Sequence, residues 1–513
     1  MRLVFLYIGA IIVLLYNTGI VSDDFTFIKL ENQFSNIFDN LINGEKYLAR
    51  PVFRYLFSVF YYFVDINEFI LIDYLKILQI ISIFYMVTKF FSIFIGQSSA
   101  MLISFLFIFF PTHDSTTYWY LEVSLSLSIG LYLYAYYLAE NNRIIIACVC
   151  SFLASFVSYG SPPIAIALFI LCILKNSYIK GLTLYLPNLV YTFYFIYVSK
   201  YLNQDVQRID SDIHISSLIK QYLLQFFTFI DAVLGPSFFL KIYYSILENG
   251  IASILLAIIF ITIYVSFTKF KEHKKVQIDK NLIITLVFLI LLSFGIFSFT
   301  GGYPQLAFNL GNRTTIYSSL LISYLIVAFP MPKTVRDVIL FILIFSIMGI
   351  SSHWKQWNRH QINIIENIKN NEALAIYDSK NRIYVTGNKY SKMGPFSHIE
   401  FLSENHVIIS IFNLVGHRLF DFTNDNLKVL SRRYEYRNET LYDNKYPHLS
   451  YATADTIVIY ESDNDRLINL PLSALNNYID NLPEQKRHWI QMIDNKKINS
   501  LILKLMPRLK YSF

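Results

Sequence analysis

The stretch RLVFLYIGAIIVLLYNTGIVSDDF, residues 2–25, decides the class of fold. Its part Leu3–Val21 is apolar and just long enough to cross a bilayer, which takes about 20 residues. The acidic pair Asp23 and Asp24 follows directly, where two carboxylates meet lipid headgroups and water together. Charged groups at membrane depth are costly, so their default interpretation is functional. We therefore expect the functional site near this mouth of the first span.

Composition extends this interpretation to most of the chain. Of 513 residues, 55% are hydrophobic and only 15% are charged, and the mean hydropathy is +0.43. A soluble protein of this size needs more charged residues for its surface. The formal net charge of +7 is spread out, without the basic stripe of a nucleic-acid-binding protein. The chain is thus predicted to be a polytopic α-helical membrane protein that has a lipid bilayer, and no nucleic acid, as its partner.

Apolar stretches recur through the first 350 residues and predict about 11 spans. The stretch 217–247 is apolar but interrupted by Gly235 and Pro236, and it is left open as an in-plane helix followed by a partial span. The predicted spans are residues 3–21, 69–93, 98–112, 118–139, 143–158, 161–175, 181–199, 250–268, 281–299, 316–330 and 337–351.

Basic residues fall on one side of these spans, which is the cytoplasmic side if the positive-inside rule holds. They are Arg2, Lys89, Arg143, Lys175, Lys180, Lys269, Lys271, Lys274, Lys275, Lys280, Lys333 and Arg336. The loops expected on the opposite side are Ser22–Arg50, Thr112–Thr117, Tyr159–Pro162, Lys200–Ser216 and Thr300–Thr315. The sequence after Ser351 is expected to face that side too.

Residues 352–513 are polar and differ from the membrane domain predicted at residues 1–351. They contain strand-like runs and helix-like segments, which together predict a C-terminal extramembrane α+β domain. No phosphate loop, nucleophile elbow or metal-spaced cluster is recognisable, so we expect this domain to cover the membrane site or hold an acceptor. The strand-like runs are Arg382–Val385, His406–Ile411 and Thr456–Tyr460, and the helix-like segments are 472–482 and 487–505.

The unusual polar groups lie in three of the loops predicted to share one side. They are Asp23, Asp24 and Arg50 in the first loop, His113, Asp114 and Trp119 in the second, and Asn312 and Arg313 in the late one. The second predicted span adds Asp73 and Lys76, which we interpret either as an internal ion pair or as part of the site. If the predicted orientation holds, these groups converge on one cavity.

The order of these motifs resembles the GT-C class of membrane glycosyltransferases over about residues 1–175. The resemblance is carried by the acidic pair after the first span, by Arg50-Pro51 and by Phe-Phe-Pro-Thr-His-Asp at 109–114 with Trp119. It is nearest to the protein O-mannosyltransferase type and its tetratricopeptide-containing relatives. Two positions depart from the pattern, because Ser115 stands where that family often has Glu and Ser158-Tyr159-Gly160 where it has Ser-Lys-Glu.

The resemblance implies an inverting transfer of a sugar from a polyprenyl-phosphate donor to a surface glycan or lipid-linked acceptor. It assigns general-base catalysis to one of Asp23 and Asp24, and a carboxylate in a dehydrated cleft suits that role because its pKa rises toward neutrality. Metal dependence stays open, because the O-mannosyltransferase type needs none and oligosaccharyltransferase-like relatives need a divalent ion. The donor-phosphate candidates are Arg313, Arg50, Lys76 and His113, and the candidate acceptor or sugar contacts are Asp114 and Trp119.

Alternatives for location and function remain open. The style of the chain favours the periplasmic face of a bacterial cytoplasmic membrane, whereas Asn312-Arg313-Thr314 and Asn438-Glu439-Thr440 would be glycosylation sequons in an endoplasmic reticulum. A polymerase of lipid-linked repeat units would share the topology but depend more on paired arginines. A flippase or transporter is a further alternative, although the internal repeats typical of transporters are not recognisable.

Overall fold

The computed structural model describes most of the chain, with gaps at several loops and at both ends. The described residues are 2–43, 47–202, 214–269, 278–300, 303–375, 382–387, 389–415, 423, 426–444, 450–452, 456–492, 495, 497, 500, 501 and 504. Within these ranges, six helices are long and apolar enough to cross a membrane, and further apolar helices are shorter. The chain is therefore a helical membrane protein. The six long helical stretches are Ile70–Phe91, Tyr120–Glu140, Tyr178–Tyr201, Ile215–Leu247, Lys280–Phe299 and Lys333–Asn370.

The first 370 residues are almost entirely helical, with short 3-10 turns at Ser58–Phe63, Pro111–His113, Tyr120–Glu122 and Leu310–Thr315. The segment 217–247, whose prediction was open, forms two helices that part at Gly235-Pro236, where proline starts the second one. The helices are α1 (Arg2–Leu15), α2 (Asp24–Glu31), α3 (Ile37–Asn43), α4 (Pro51–Leu56), α5 (Ile70–Phe91), α6 (Gln97–Ile108), α7 (Ser115–Tyr118), α8 (Val123–Glu140), α9 (Ile144–Val157), α10 (Pro162–Leu174), α11 (Tyr178–Tyr201), α12 (Ile215–Leu234), α13 (Pro236–Leu247), α14 (Ile251–Lys269), α15 (Lys280–Thr300), α16 (Ile316–Ala328) and α17 (Lys333–Asn370).

Helix α1 is shorter than the span predicted at residues 3–21. It ends at Leu15, so it is only about 21 Å long. The chain then turns through left-handed backbone at Asn17 and Gly19. At Gly19 a side chain is excluded twice over, by the positive φ and because a Cβ would lie 1.8 Å from Asn358 Oδ1. The residues from Thr18 to Val21 therefore form a buried loop that leads directly to the acidic pair.

Helix α17 is 38 residues long and runs about 57 Å, well beyond a hydrocarbon core of about 30 Å. The domain boundary predicted at Ser351 lies inside this helix. Although residues 352–370 are polar in composition, Trp354, Trp357, Ile364 and Ile368 recur at helical spacing and are buried. The helix therefore continues without a break to Asn370, and the sheet-containing region begins after it.

The described residues of the C-terminal region form small sheets and several helices. In the main sheet, with strand order β4-β1-β8-β9, β1 pairs in parallel with β4 and β8, and β9 is antiparallel to β8. Strands β2 and β3 form a separate hairpin, and β5, β6 and β7 form a meander. The elements are α18 (Glu372–Ala375), β1 (Ile383–Thr386), β2 (Tyr390–Met393), β3 (Phe396–Glu400), α19 (Asn405–Leu414), β4 (Leu427–Val429), β5 (Tyr434–Arg437), β6 (Thr440–Asp443), β7 (Ser450–Ala452), β8 (Thr456–Glu461), β9 (Arg466–Pro471), α20 (Leu472–Asp480) and a 3-10 turn at Trp489–Met492.

The strands predicted at Arg382–Val385 and Thr456–Tyr460 are confirmed as β1 and β8, and the helix predicted at 472–482 is α20. The strand predicted at His406–Ile411 is wrong, because this run forms α19. A short apolar run fits a buried strand and a buried helix equally well. Within the helix predicted at 487–505, Trp489–Met492 is a 3-10 turn, and the described residues Lys497, Ser500, Leu501 and Lys504 are helical. Most of the other residues from 493 to 505 lie outside the described residues.

One hydrophobic core connects the helix bundle to the C-terminal region. The cluster runs from Tyr7 in α1 through the spans to Val385 in β1 and Phe396 in β3. Outward faces of several helices expose large apolar side chains, such as Ile145 in α9 and Phe193 in α11, as expected of surfaces that meet lipid tails. The C-terminal region is therefore packed onto the bundle, and its side chains reach the loops at the bundle's end.

Candidate functional site

Four loops that the sequence predicts on one side meet at one end of the bundle. Thr315 Oγ1 donates to the Thr112 carbonyl at 2.8 Å, and Tyr317 OH donates to the Gly160 carbonyl. The Arg50 guanidinium lies over the Tyr159 ring, which joins the first loop to the same group. Within the remaining predicted loops, residues 203–213, 301 and 302 lie outside the described residues.

Asp23 lies at the edge of this loop cluster and is paired with the C-terminal region. Its Oδ1 is 2.9 Å from Nε2 of His406, which is near the start of α19. Both side chains keep access to solvent, with 41% of Asp23 and 53% of His406 exposed. The hydrogen bond to Asp23 raises the pKa of His406, outweighing its partial burial. The pair is therefore a carboxylate and a readily protonated imidazole at an open surface.

Asp24 faces the opposite way and is fully buried. Tyr61 OH donates to its Oδ1, and the backbone N–H of Val21 donates to its Oδ2 at 3.0 Å. Burial raises the pKa of Asp24 to about 7, against the lowering effect of these two hydrogen bonds and of Lys76. The left-handed backbone at Ser22, with φ +50°, turns the chain immediately before the pair. Neighbouring carboxylates thus occupy different environments, one open and one closed.

Arg313 lies in the late loop and is held by one acid and two aromatic rings. Its Nη1 is 2.7 Å from Glu122 Oε1, and its guanidinium lies 5.5 Å from the Trp119 ring and 5.3 Å from the Tyr303 ring. Burial opposes ionisation, but the Glu122 carboxylate and smaller effects, including that of Asp23, raise the pKa of Arg313 overall. Arg313 is therefore a cation held in place by Glu122 and two aromatic rings.

Arg50 precedes α4 and forms no ion pair with any described residue. Its guanidinium lies 4.3 Å from the Phe53 ring and 5.1 Å from the Tyr159 ring. Four residues later, Arg54 is buried against Glu31 and bonded to Asn40. Stacking on aromatic faces leaves the in-plane N–H donors of Arg50 available, and such a fork suits a phosphate.

Asp114 is the centre of a buried polar cluster rather than an open site residue. Its Oδ1 lies 3.2 Å from the Lys241 ammonium and accepts from Asn312 Nδ2. Its Oδ2 accepts from Trp354 Nε1 at 2.7 Å and lies 2.8 Å from His398 Nε2. Helices α13 and α17, the late loop and strand β3 all meet at this one carboxylate.

His398 brings the C-terminal region into that cluster as a neutral donor. Its Nδ1 accepts from the Asn309 backbone N–H at 3.1 Å, and its Nε2 lies 2.8 Å from Asp114 Oδ2 and 2.9 Å from Lys241 Nζ. Burial lowers the pKa of His398 to about 4, despite the Asp114 carboxylate. The pKa of Asp114 is also lowered, because His398 and Lys241 together outweigh its burial. The cluster is thus a saturated junction between two parts of the molecule.

Two further donor-phosphate candidates are internal. His113 is buried between the Phe107 carbonyl and Thr116 Oγ1, and burial lowers its pKa to about 4. Lys76 is buried in an ion pair with Asp73 at 3.0 Å and donates to the Gly19 carbonyl at 2.6 Å. Both side chains stabilise the loops that they join, and the structure places neither of them at the open edge beside Asp23.

The predicted acceptor contacts are also buried. Trp119 packs under Arg313, and its indole Nε1 has no hydrogen-bond partner among the described residues. Asp114 is saturated, as described above. Among the described residues, no group of three His, Cys, Asp or Glu side chains is arranged to hold a metal ion. Of the predicted site residues, Asp23, Arg50 and Arg313 are therefore the ones that are not buried.

Two side chains of this site, those of Glu122 and His406, were not predicted from the sequence. Glu122 follows Trp119 by one helical turn, and an acid at the mouth of the span predicted at 118–139 was an available signal. His406 gave no signal, because its run was interpreted as a strand of a separate domain.

No protein-family model, curated protein or solved structure compared with this chain matches it.

Proposed function

We propose that this protein is a GT-C-like membrane glycosyltransferase that moves a sugar from a polyprenyl-phosphate donor to a hydroxyl of a glycan or lipid-linked acceptor. The observation that carries the proposal is the half-exposed carboxylate of Asp23, which lies at the same loop-bearing end of a membrane helix bundle as the cation Arg313. A base and a phosphate-binding cation at the membrane surface are what such a transfer requires.

In this proposal Asp23, rather than Asp24, is the general base. Asp24 uses both carboxylate oxygens on Tyr61 and Val21 and has no exposed surface. Asp23 is bonded to the side chain of His406 and remains open to solvent. A base has to come within hydrogen-bond reach of the proton that it removes. Asp24 then holds the loop, and its burial fixes where Asp23 points.

The proposed reaction is a single displacement. Asp23 accepts the proton of the acceptor hydroxyl while that oxygen bonds to the anomeric carbon of the donor sugar. The bond between the anomeric carbon and the lipid-phosphate oxygen breaks, and its electron pair leaves with the phosphate. Attack opposite the leaving group inverts the anomeric configuration. The released polyprenyl phosphate carries one more negative charge than before, which the guanidinium groups of Arg313 and Arg50 stabilise.

The proposed location is the periplasmic face of a bacterial cytoplasmic membrane. The basic residues cluster on the other side of the predicted spans, as the positive-inside rule requires for cytoplasmic loops. The C-terminal region then covers the site from the periplasm and contributes His406 to it. Labelling of a single cysteine that replaces the exposed Ser35 in the first loop tests this orientation, because protection from a periplasmic reagent would contradict it.

The decisive experiment separates the two aspartates. Full-length protein in nanodiscs is incubated with synthetic polyprenyl-phosphate glucose, mannose or galactose, and released polyprenyl phosphate is measured with and without glycan acceptors. We expect Asp23→Asn to lose about 100-fold or more of the turnover while still binding the donor. Asp480→Asn, at an exposed site on α20, is the matched control and should keep full activity.

The other outcomes identify the alternative functions. If Asp23→Asn releases polyprenyl phosphate at the wild-type rate, the role of Asp23 as general base is contradicted. If activity then depends only on Arg50 and Arg313, the paired arginines favour a polymerase of lipid-linked repeat units. Transport of labelled donor across proteoliposome membranes without any release of polyprenyl phosphate identifies a flippase. Each of these results rejects the proposed transferase mechanism.

A further inference from the structure

A second polar site lies in the C-terminal region, at the carboxyl ends of two parallel strands. A small groove opens where β1 ends at Thr386 and where β4 is followed by Leu430 and Ser431. In open α/β sheets, ligands bind in the crevice outside the carboxyl ends of the parallel strands. The lining residues are Thr386, Gly387, Lys389, Tyr390, Lys392, Leu430, Ser431, Arg432, Leu482, Pro483, Glu484 and Gln485.

In the turn after β1, the backbone at Gly387 comes close to the segment that follows β8. Gly387 has φ +134°, which side-chain-bearing residues rarely adopt. A Cβ there would lie 2.2 Å from Ser462 Oγ, in the segment that follows β8. The glycine therefore lets the ends of β1 and β8 pack together beside the groove that Lys389 lines.

The groove carries more positive than negative charge. Lys389 is only 6% exposed, and its ammonium donates to the Leu430 carbonyl without forming an ion pair with any described residue. Lys392 donates to the Glu484 carbonyl at 2.6 Å. Arg432 Nη1 is 2.9 Å from the Glu484 carboxylate, which Lys486 also approaches at 3.4 Å. Among the lining residues, the Glu484 carboxylate thus stands against the three cations of Lys389, Lys392 and Arg432.

Two observations indicate that the groove lacks an anionic partner. Burial, reinforced by the charge of Arg433, lowers the pKa of Lys389 well below its ordinary value, because the Glu404 carboxylate compensates the ammonium only in part. The buried Oγ of Ser431 has no hydrogen-bond partner among the described residues. Buried polar groups are normally satisfied, so each unsatisfied one calls for an explanation. An anion in the groove would satisfy both.

We propose that this groove binds the phosphate or carboxylate group of an anionic sugar. Lys389 and Arg432 contribute charge, and the Ser431 hydroxyl contributes a donor beside them. The polar lining around these groups suits the hydroxyls of a carbohydrate. The site is independent of the sugar transfer proposed above, because none of its lining residues contacts Asp23, Arg50 or Arg313 among the described contacts.

The test is calorimetric binding to full-length protein in nanodiscs. The probes are glucose 6-phosphate, glucuronic acid, inorganic phosphate and glucose. We expect both anionic sugars to bind and glucose to show no binding. Lys389→Met and Arg432→Gln should each weaken binding at least tenfold, whereas Arg466→Gln, an exposed arginine on β9 of the same sheet, should not change it.

The remaining outcomes are also decisive. Binding of inorganic phosphate as tightly as glucose 6-phosphate would contradict the sugar component and indicate a site for free phosphate. Absence of anion binding to the wild type, or equal affinity in Arg432→Gln, overturns the proposal. Because Lys389→Met removes a buried group, the thermal unfolding of this variant is measured as a control. If Lys389→Met is unfolded, the conclusion is drawn from Arg432→Gln, which changes a half-buried side chain. Asp23→Asn should bind normally, which separates this site from the proposed catalytic one.

Discussion

Asp23 and Asp114 both lie in loops at the same end of the helix bundle, and both contact a histidine of the C-terminal region. Asp114 is buried and has four side-chain partners, His398 among them. Asp23 is 41% exposed and is bonded to one side chain, that of His406. A saturated carboxylate has no free acceptor site for a ligand, whereas a half-exposed one does. The two carboxylates therefore have different roles. Asp114 joins the helix bundle to the C-terminal region, whereas Asp23 is available to contact a substrate.

The same difference separates Arg50, at the end of the first loop, from Arg54 in helix α4. Arg54 is buried against Glu31, whereas Arg50 rests on aromatic rings and forms no ion pair with a described residue. The two residues are one helical turn apart, so sequence position alone does not separate them. Accessibility and free hydrogen-bonding capacity distinguish the groups that can meet a substrate from those that hold the fold.

The largest expected effect is on the junction. Asp114→Ala leaves the fully buried Lys241 ammonium and the donors of His398 and Trp354 without their shared acceptor. Breaking a buried pair by removing one partner costs about 3–5 kcal/mol. We expect a large drop in the midpoint of thermal unfolding of the detergent-purified protein. Asp480→Ala, at an exposed position, serves as control, and an unchanged midpoint in Asp114→Ala would contradict the structural role of the junction.

Acidification should weaken the same junction. The buried imidazoles of His398 and His113 have pKa values lowered to about 4 from an ordinary 6.5, so the folded state binds fewer protons than the unfolded state between these values. Their contribution to stability is present above pH 6.5 and is lost as the pH falls toward 4. A shift of this size corresponds to about 3 kcal/mol for each group.

The measurement is the unfolding midpoint of the wild type at pH 7 and pH 5. The drop between the two should be smaller in His398→Gln than in the wild type, because one of the two imidazoles is absent. His214→Gln, at an exposed position, should leave the drop unchanged. Because the raised pKa of Asp24 acts in the opposite direction over this pH range, the comparison with the variant decides the outcome. A drop in His398→Gln as large as that in the wild type would mean that His398 is not buried as a neutral group.

At the open centre, His406 should act as a positioning residue for Asp23. We expect His406→Ala to lower kcat about tenfold with little change in KM, since a hydrogen bond to a charged group contributes about 1.5–3 kcal/mol. Because the pKa of His406 is raised, its charge is present below that pKa and is lost as the pH rises through it. The wild-type rate should therefore fall on the alkaline side, and this fall should be absent in His406→Gln, which keeps a donor. An identical pH profile in the variant would contradict the role.

The smallest effect is expected at Arg50. Arg50→Lys keeps the charge but loses the guanidinium fork and part of the aromatic stacking. We expect the KM for the polyprenyl-phosphate donor to rise several-fold with little change in unfolding temperature. Arg54→Lys should show the reverse pattern, with a lower unfolding temperature and a nearly unchanged KM. Equal effects of the two substitutions would mean that Arg50 is structural as well.

Much of the helix bundle could be predicted from the sequence. The second predicted span, residues 69–93, is α5 at Ile70–Phe91, because a long apolar run is a local signal. The first span was predicted too long, since left-handed turns at Asn17 and Gly19 end it within an apolar run. The helix His406–Ile411 was predicted as a strand, since its apolar composition does not distinguish the two. The roles assigned to Lys76 and His113 depended on side-chain burial, which the sequence does not give.

The sequence by itself determined that the chain is a helical membrane protein and that an acidic pair, two arginines and a His-Asp motif fall in its loops. Only the tertiary structure decided which of these groups is open and which is enclosed. Hydropathy is summed over neighbouring residues, whereas burial depends on partners far away in the chain. Asp23 meets its histidine across 383 residues, and Asp114 meets His398 across 284. Folding brings those partners together, and it thereby decides which acid can reach a substrate.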